Sequence, residues 1–598
     1  MNNLSKLILI LMSFVFFSKA YPAVYYVDYD NGNNKNNGIS IESPLKNYPG
    51  DPNTTKNHSN IKLKPGDKVI FKGGVKYKGT VYIKISGTSF SPIVFDGNSK
   101  GDFGKGNAII DGSNMILDVY KCKHPVRNEI IACTKKIKKN AGLNIFWGNK
   151  RLNESNSLNI SDVYLQDYLK DFKSINYKPE ADNYLKLTDE KFEEILSSWK
   201  NASLVIWGNG NQIYRRNIIR IDKLDKKIFF EPVNFNKKSK YIIVNTAMSL
   251  DRRGEYYFDK NNNVLYMMPY SDNFSELSYA VRHVGIDIFA NNIAVKGFII
   301  EKFGSSDLGR TGIGVKIYGK NKLTPLQNVV IDQNIIRNHN AIDKSGVVTI
   351  LYGDNIQIIN NKIMKSSPNR GVLAMNSNNI ITKNNLIEDI TGTGIAYFRV
   401  NNSAIEDNEI YNIRGVHANG ISIYLGSNNN YVFDNCIAKG LSAFTTNEAS
   451  KTLVAANIFH SEKDNYTVAD WGGSNDLQFY NNLVINPYSK SLYISKKSTG
   501  IKVVNSILDG LLIDDKEALI SHNVYTKLSW KQNRRYKWKP GEGDILKYVG
   551  STSNKINHLF ENKGLKIKLP FHAGVELRSI GYPYKLKSSC KFAIRRFD

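Results

Sequence analysis

The sequence predicts an all-β parallel solenoid, and three observations lead there: a repeat of about two dozen residues, apolar alternation of period two inside each repeat, and no helical period across them. Nine-residue segments align as NVVIDQNII from Asn328, NIQIINNKI from Asn355, NIITKNNLI from Asn379, NSAIEDNEI from Asn402 and NNYVFDNCI from Asn429. They continue as KTLVAANIF from Lys451, NDLQFYNNL from Asn475 and TGIKVVNSI from Thr499, with starts 27, 24, 23, 27, 22, 24 and 24 residues apart. NIAVKGFII from Asn292 is an earlier member. Each unit also holds a second β-like run, such as GVVTILY, GIAYFRV or GISIYLG, with Gly and Asn at the joins. One such unit cannot bury its own apolar face, whereas units stacked about 4.8 Å apart close a continuous core.

Asn recurs at one position of the repeat: Asn334, Asn361, Asn385, Asn408, Asn435, Asn457, Asn481 and Asn505. Asn tolerates left-handed backbone and can pass amide hydrogen bonds from coil to coil, so this ladder is expected to be structural.

Taken from the N-terminus, the first segment has Lys6, an apolar stretch from Leu7 to Phe17, and small residues at Ser18, Ala20 and Ala23. That is the pattern of a secretory signal peptide over residues 1–23, too short in its apolar core to span a membrane. The expectation is a secreted or periplasmic protein with no transmembrane segment. Residues 24–139 read as an N-terminal cap and first coils, and 140–280 break the period as an insertion. Within it DEKFEEILSSW near Asp189 reads as a short helix and LVIWGNGNQIYRRNIIRI from Leu204 as a hairpin. The insertion is expected to pack beside the coils and wall a groove. Residues 281–525 form the main coils, and 526–598 an irregular basic cap containing WKQNRRYKWK from Trp530 to Lys539. Cys122 and Cys133, 11 residues apart in a loop-like segment, suit a local disulfide in an oxidising compartment.

With these segments in place the chain resembles the right-handed parallel β-helix, pectate-lyase-like superfamily of secreted carbohydrate-active enzymes. YYVDYDNGNNKNNGISIESPLKNYP with LKPGDKVIFKGGVKYKGTVYI resembles the capping start of such enzymes, and GEYYFDKNNNVLYMMP from Gly254 resembles a segment that precedes the main coils in β-helix glycosidases. The resemblance implies a right-handed β-helix with an N-terminal cap, an inserted α+β segment and a C-terminal cap, and an activity on polysaccharide. Fold alone does not fix which activity.

The 598 residues carry 81 Lys and Arg against 54 Asp and Glu, a net charge of +27. A cationic surface suits an acidic polymer. Export makes nucleic acid an unexpected partner and an acidic polysaccharide the expected one. Aromatic residues at 11% of the chain exclude a disordered chain.

Counting back from each unit start places the mostly apolar fourth and sixth positions inward, and the third and fifth outward. The outward set then holds Arg399, Glu448 and Lys496 in one column and Tyr397, Tyr424 and Asp470 in the other. Aromatic faces for sugar rings and charges for chemistry would share one groove. Glu448 and Asp470, on adjacent coils and offset by two residues, would lie about 8 Å apart at Cα. That spacing suits inverting glycoside hydrolysis, in which one carboxyl protonates the leaving oxygen and the other activates water. The alternative is β-elimination on a uronate polymer, with Arg399 as base or neutraliser, His417 or Tyr424 assisting, and Glu448 with Asp470 holding Ca²⁺. Arg370, one coil from His417, joins Tyr397, Tyr424 and Lys496 as a substrate-binding candidate. No match to the ExExITNKS-like pattern of alginate and chondroitin lyases is present. A non-catalytic polysaccharide binder or adhesin remains the third reading.

Overall fold

Each turn of the chain is three short strands, and each strand pairs in parallel with its counterpart one turn away. The computed structural model describes residues 22–525 and 545–546, apart from 53, 55–60, 138–143, 166–169, 175–183, 187–188, 197–198, 209–212, 234–238, 305–311, 341–344, 368–369, 416–417, 462, 487, 489, 505, 509–510, 514–517 and 522–523. Residues 1–21 of the expected signal peptide and the WKQNRRYKWK stripe lie outside the described residues. In the turn from Gly346 the strands are Gly346–Leu351, Gly353–Ile359 and Lys362–Ser366. Stacking gives a parallel solenoid of about 15 turns, with the first two strands of each turn merged into a 23-stranded sheet and the third in a 13-stranded sheet.

The core is a set of single-residue columns. Ile300, Ile336, Ile363, Ile387, Ile410 and Ile437 stand directly above one another in the third sheet and are fully buried. β-Branched side chains suit such a column, because their restricted rotamers lose little on stacking.

Corners between strands are made by residues with positive φ, a conformation that non-glycine residues adopt rarely and Asn and Asp most easily. One such column holds Asn328, Asn355, Asn379, Asn402 and Asn429; a second holds Asn360, Asn384, Asp407, Asp434 and Asn481. The buried ladder follows the second column by one residue. It runs Asn334, Asn361, Asn385, Asn408, Asn435, Asn457, Asn482 and Ser506, all nearly inaccessible. Asn481 is therefore one residue out of register: Ser450 pairs with Asn475, so Asp476 is the counterpart of Lys451. Asn505 lies outside the described residues. In each rung the side-chain carbonyl accepts from the backbone and side-chain amides of the Asn one turn earlier. Asn408 Oδ1 takes Asn385 N at 3.1 Å and Nδ2 at 2.9 Å, while Asn408 Nδ2 donates to Asn435 Oδ1 at 2.9 Å and Thr382 O at 2.8 Å.

The solenoid is interrupted once. After the third-sheet strand Ala108–Asp111 the chain leaves, beginning with the strand Ser113–Met115, and returns through Leu277–Ala280. Coiling then resumes as if nothing intervened: Ile286 pairs with Val81, and Ile293 with Ile93. The excursion thus starts at Ser113, 140 − 113 = 27 residues before the expected boundary. It contains three antiparallel or mixed sheets, the expected helix at Asp189–Leu196, and the expected hairpin, Ser203–Trp207 against Ile213–Asp222. Cys122 and Cys133 are bridged across the pair Tyr120–Lys123 and Ile130–Thr134. Among the described residues no helix is long and apolar enough to cross a membrane.

Two stability predictions follow from this packing. Asn408→Ala removes two acceptor and two donor contacts from a dry ladder and should cost about 2–4 kcal/mol in denaturant unfolding; a loss below about 1 kcal/mol would make the ladder a passenger. The second concerns His339, whose imidazole stacks on Phe303 at 5.8 Å and hydrogen-bonds Ile300 O at 3.1 Å. Burial pushes it down to about 4, against about 6.5 in the unfolded chain. Its neutral form is favoured by folding, so the stability it contributes is present above about pH 6.5 and is lost as pH falls toward 4. His339→Gln should flatten that limb of a melting-temperature profile, and an unchanged limb would remove His339 as its source.

Candidate functional site

The outer surface of the first strands carries a row of apolar side chains, one per turn. Register places Tyr318 beside Leu351, then Met375, Phe398, Tyr424 and Asn447. Phe289 continues the row at one end and Trp471 at the other, 50% and 44% exposed. At about 4.8 Å per turn, seven intervals make a strip about 34 Å long. Alternation had assigned Leu351, Met375, Phe398 and Trp471 to the interior, while it had placed Tyr424 outward, where the structure has it.

Aromatic contacts organise the row. Phe398 and Tyr424 stack at 5.9 Å, and the Arg370 guanidinium lies over Phe398 at 5.5 Å from its centroid. Trp471 meets Tyr493 at 5.7 Å, and Tyr493 meets Tyr466 at 5.1 Å. At the other end Lys316 sits over Tyr318 at 4.7 Å and Phe289 at 5.3 Å while pairing with Asp287 at 2.9 Å. Burial pushes the Asp287 carboxyl up, and Lys316 pulls it back only in part. Asp287 is a functional candidate that the repeat alignment missed. Its signal was its outward place in the alternating run VGIDIFA, beside Phe289.

A polar seam underlies the row. Tyr424 Oη donates to Thr445 Oγ1 at 2.9 Å, Thr445 shares a hydrogen bond with Ser422 at 2.9 Å, and Asn419 donates to Ser422 at 3.1 Å. The tyrosine is thereby fixed in orientation, and burial raises its hydroxyl.

The residues expected in the site separate into two groups. Arg399 and Glu448 are exposed at the corner beside the row, both with positive φ, 55° and 53°. Arg399 donates to Asn376 at 2.8 Å. The Glu448 stem runs toward Gly473, where a Cβ would come within 3.2 Å of Glu448 Cγ. Lys496 is exposed in the turn after Leu492–Ile494, and Tyr424 and Arg370 belong to the row itself. Tyr397 and Asp470 do not belong with them. Tyr397 points into the core, wholly buried, with its hydroxyl on Thr382 Oγ1 at 2.8 Å. Asp470 is also interior, 1% exposed, accepting from Thr446 Oγ1 at 3.0 Å and from Ser498 Oγ. The reason is register: Tyr397 aligns with Ile423, then Thr446, Asp470 and Ile494, an inward column. Tyr424 aligns with Phe398, not Tyr397. Glu448 and Asp470 therefore face opposite sides of the wall and form neither an acid and base pair nor a shared seat for Ca²⁺. His417 lies outside the described residues.

The family model described as "Right handed beta helix region" matches residues 285–444 and 345–508. No curated protein matches the chain. Among solved structures the chain is similar to a glycoside hydrolase at 12% identity, covering 88% of this chain and 96% of that one with a TM-score of 0.57. It is also similar to XylC in complex with xylose, at 12% identity, 88% and 86% coverage and a TM-score of 0.46. For a GH136 lacto-N-biosidase from Eubacterium ramulus the figures are 10% identity, 83% and 68% coverage and 0.37. At such identities the likeness is one of fold, and the chain is a right-handed parallel β-helix.

Asp470→Ala is expected to lower the melting temperature, because it strands two buried hydroxyls at a cost of about 1–3 kcal/mol. Asp470→Asn should be milder. A variant that lost ligand binding at unchanged melting temperature would return Asp470 to the functional surface.

Proposed function

We propose that this β-helix acts on polysaccharide and holds an extended acidic glycan along the row from Phe289 to Trp471. The row itself carries the reading. Aromatic faces bind the apolar faces of sugar rings, and the row offers five of them, Phe289, Tyr318, Phe398, Tyr424 and Trp471, on a ladder whose rise the backbone fixes. Apolar side chains left half-buried along an outer face, with exposed rings at both ends, mark an interaction surface.

Charge supports the acidic class. Arg370, Lys316, Arg399 and Lys496 on or beside the row outnumber Asp287 and Glu448 by four to two, in keeping with the net charge of +27. The shared fold with a glycoside hydrolase supports turnover, and export is proposed from the N-terminal segment. Of the sequence-derived catalytic set, Glu448 and Arg399 stand beside the row as the candidates for acid or base and for charge neutralisation. The second reading, a binder without turnover, draws on one observation: the carboxylate expected opposite Glu448 is inside the core.

The mature protein, tested on a panel of acidic and neutral polysaccharides, should be retained by an acidic one. New reducing ends without ultraviolet absorbance mark hydrolysis, and products absorbing near the ultraviolet edge mark elimination. Retention without either marks the binder. Trp471→Ala should weaken retention by about tenfold, the range of one aromatic platform. Equal retention by this variant and by Phe398→Ala would take the glycan off the row.

A further inference from the structure

The outer faces of the second and third strands change character at one turn. On the third sheet, register runs an outward column through Lys362, Leu386, Glu409, Cys436, Ile458 and Leu483. Lys362 is exposed and Leu386 and Glu409 are half-buried, whereas Cys436, Ile458 and Leu483 are only 6–8% exposed. On the second strands the outward column runs Lys383, Glu406, Phe433, Ala455 and Tyr480. The same switch comes between Glu406 and Phe433. From that turn onward two adjoining outer faces are apolar and inaccessible.

These side chains do not belong to the interior. Each stands one residue from an inward neighbour, Cys436 beside Ile437 and Phe433 beside Val432, and strand side chains alternate. They form two clusters apart from the main core, one made wholly of third strands around Cys436 and one wholly of second strands around Phe433. An apolar outer wall of this kind is kept from water by a partner. Burial raises the carboxyl of Glu409, which puts the rim of the covered area at its turn.

Cysteine pairing identifies the partner. The chain has four cysteines. Cys122 is bonded to Cys133, and Cys436 is also disulfide-bonded. Within one chain the cysteine left for it is Cys590.

The sequence around Cys590 suits the face it would meet. Cys590, Phe592 and Ile594 alternate with Lys591, Ala593 and Arg595, the period of a strand with one apolar side. Reach is ample. Ile545 stands in the same column as Cys436, five turns further on, about 24 Å away at about 4.8 Å per turn. Cys590 follows Leu546 by 590 − 546 = 44 residues, which fully extended span several times that distance.

We infer that residues 585–597 lie across the apolar outer faces of the last turns and are bonded there through Cys436 and Cys590. The bond forms by thiol–disulfide exchange: the two thiols lose two protons and two electrons to a disulfide oxidant, which leaves as a dithiol. The same chemistry closes Cys122–Cys133. The segment is a strap that keeps Ile458 and Leu483 from offering an open apolar surface to a second copy of the chain. This surface is separate from the glycan row, and the inference stands whatever the row binds.

The test is peptide mapping of the full chain, produced in an oxidising compartment and alkylated before unfolding. A peptide pair joined through Cys436 and Cys590 is expected beside the Cys122–Cys133 pair, whose presence shows that the preparation is oxidised. Alkylation of Cys436 or Cys590 in such a preparation would overturn the inference. So would a bond from Cys590 of one chain to Cys436 of another, seen as a dimer on a gel without reductant. Cys590→Ser should keep the far-ultraviolet spectrum of the coils, be cut by trypsin within residues 585–597 at least about tenfold faster than the parent, and bind an apolar dye that the parent excludes. Cleavage at the parent's rate would remove the strap. The map needs no variant and decides the matter even where Cys590→Ser fails to fold.

Discussion

Every feature of this molecule depends on one constraint: each turn must lie on the last without slipping by a residue. Strand side chains alternate, so a slip of one would move a whole inward column to the outside. Aliphatic columns alone resist this weakly, since one Ile packs on another from many offsets. The Asn ladder resists it strongly, because each side-chain amide must reach both the next Asn and a carbonyl at about 2.9 Å. A slipped rung would leave those groups buried without partners, and that penalty grows with every rung. The same rigidity tolerates exceptions. Asp470 can stand in an inward column because Thr446 lies in register one turn earlier and Ser498 comes within reach.

The repeat, its length and its parallel stacking were legible because they are set by pattern alone. Which face a residue occupies was not, and the failure is instructive. Alternation was counted across a corner, where Tyr352, Asn376, Arg399 and Glu448 take positive φ, and parity is not preserved through such a residue. Hydrophobicity could not correct the error. The outward row of Leu351, Met375, Phe398 and Tyr424 is as apolar as the inward row of Ile350, Ala374, Tyr397 and Ile423. An outward row of apolar side chains imitates a core in sequence. The inward Asp470, conversely, imitates a surface residue. The one-residue drift at Asn481 has the same origin, a unit start taken from the pattern where register requires its neighbour.

The excursion was legible as a break and as separate elements, the helix at Asp189 and the hairpin from Leu204 among them, because these are local. Its docking was not. Asp162 and Ser367 are 205 residues apart, and nothing periodic links them. The antiparallel pairings of Ser113–Met115 with Leu277–Ala280 close a loop longer than many domains. That closure is affordable in entropy because the cost rises only logarithmically with length, and because Val81 and Ile286 pair as though the excursion were absent. The docked segment is therefore an addition to a finished coil, free to vary without disturbing it.

Binding and chemistry make different demands on such a scaffold. A long glycan needs many weak platforms at constant spacing, and a ladder of first strands supplies them with little ordering cost, since each ring is held by the backbone below it. Selective recognition of a charged ring needs several groups converging from different directions, which a flat ladder cannot provide. Its side chains all point the same way, and Glu448 and Asp470 show that neighbouring coils place carboxylates outside or inside, not face to face. Convergence requires a second wall, and the described chain builds one where Asn149–Asp162 approaches the ends of the third strands. Ser367, Thr391 and Arg414 stand at that edge, just after the third strands Lys362–Ser366, Leu386–Ile390 and Glu409–Ile413.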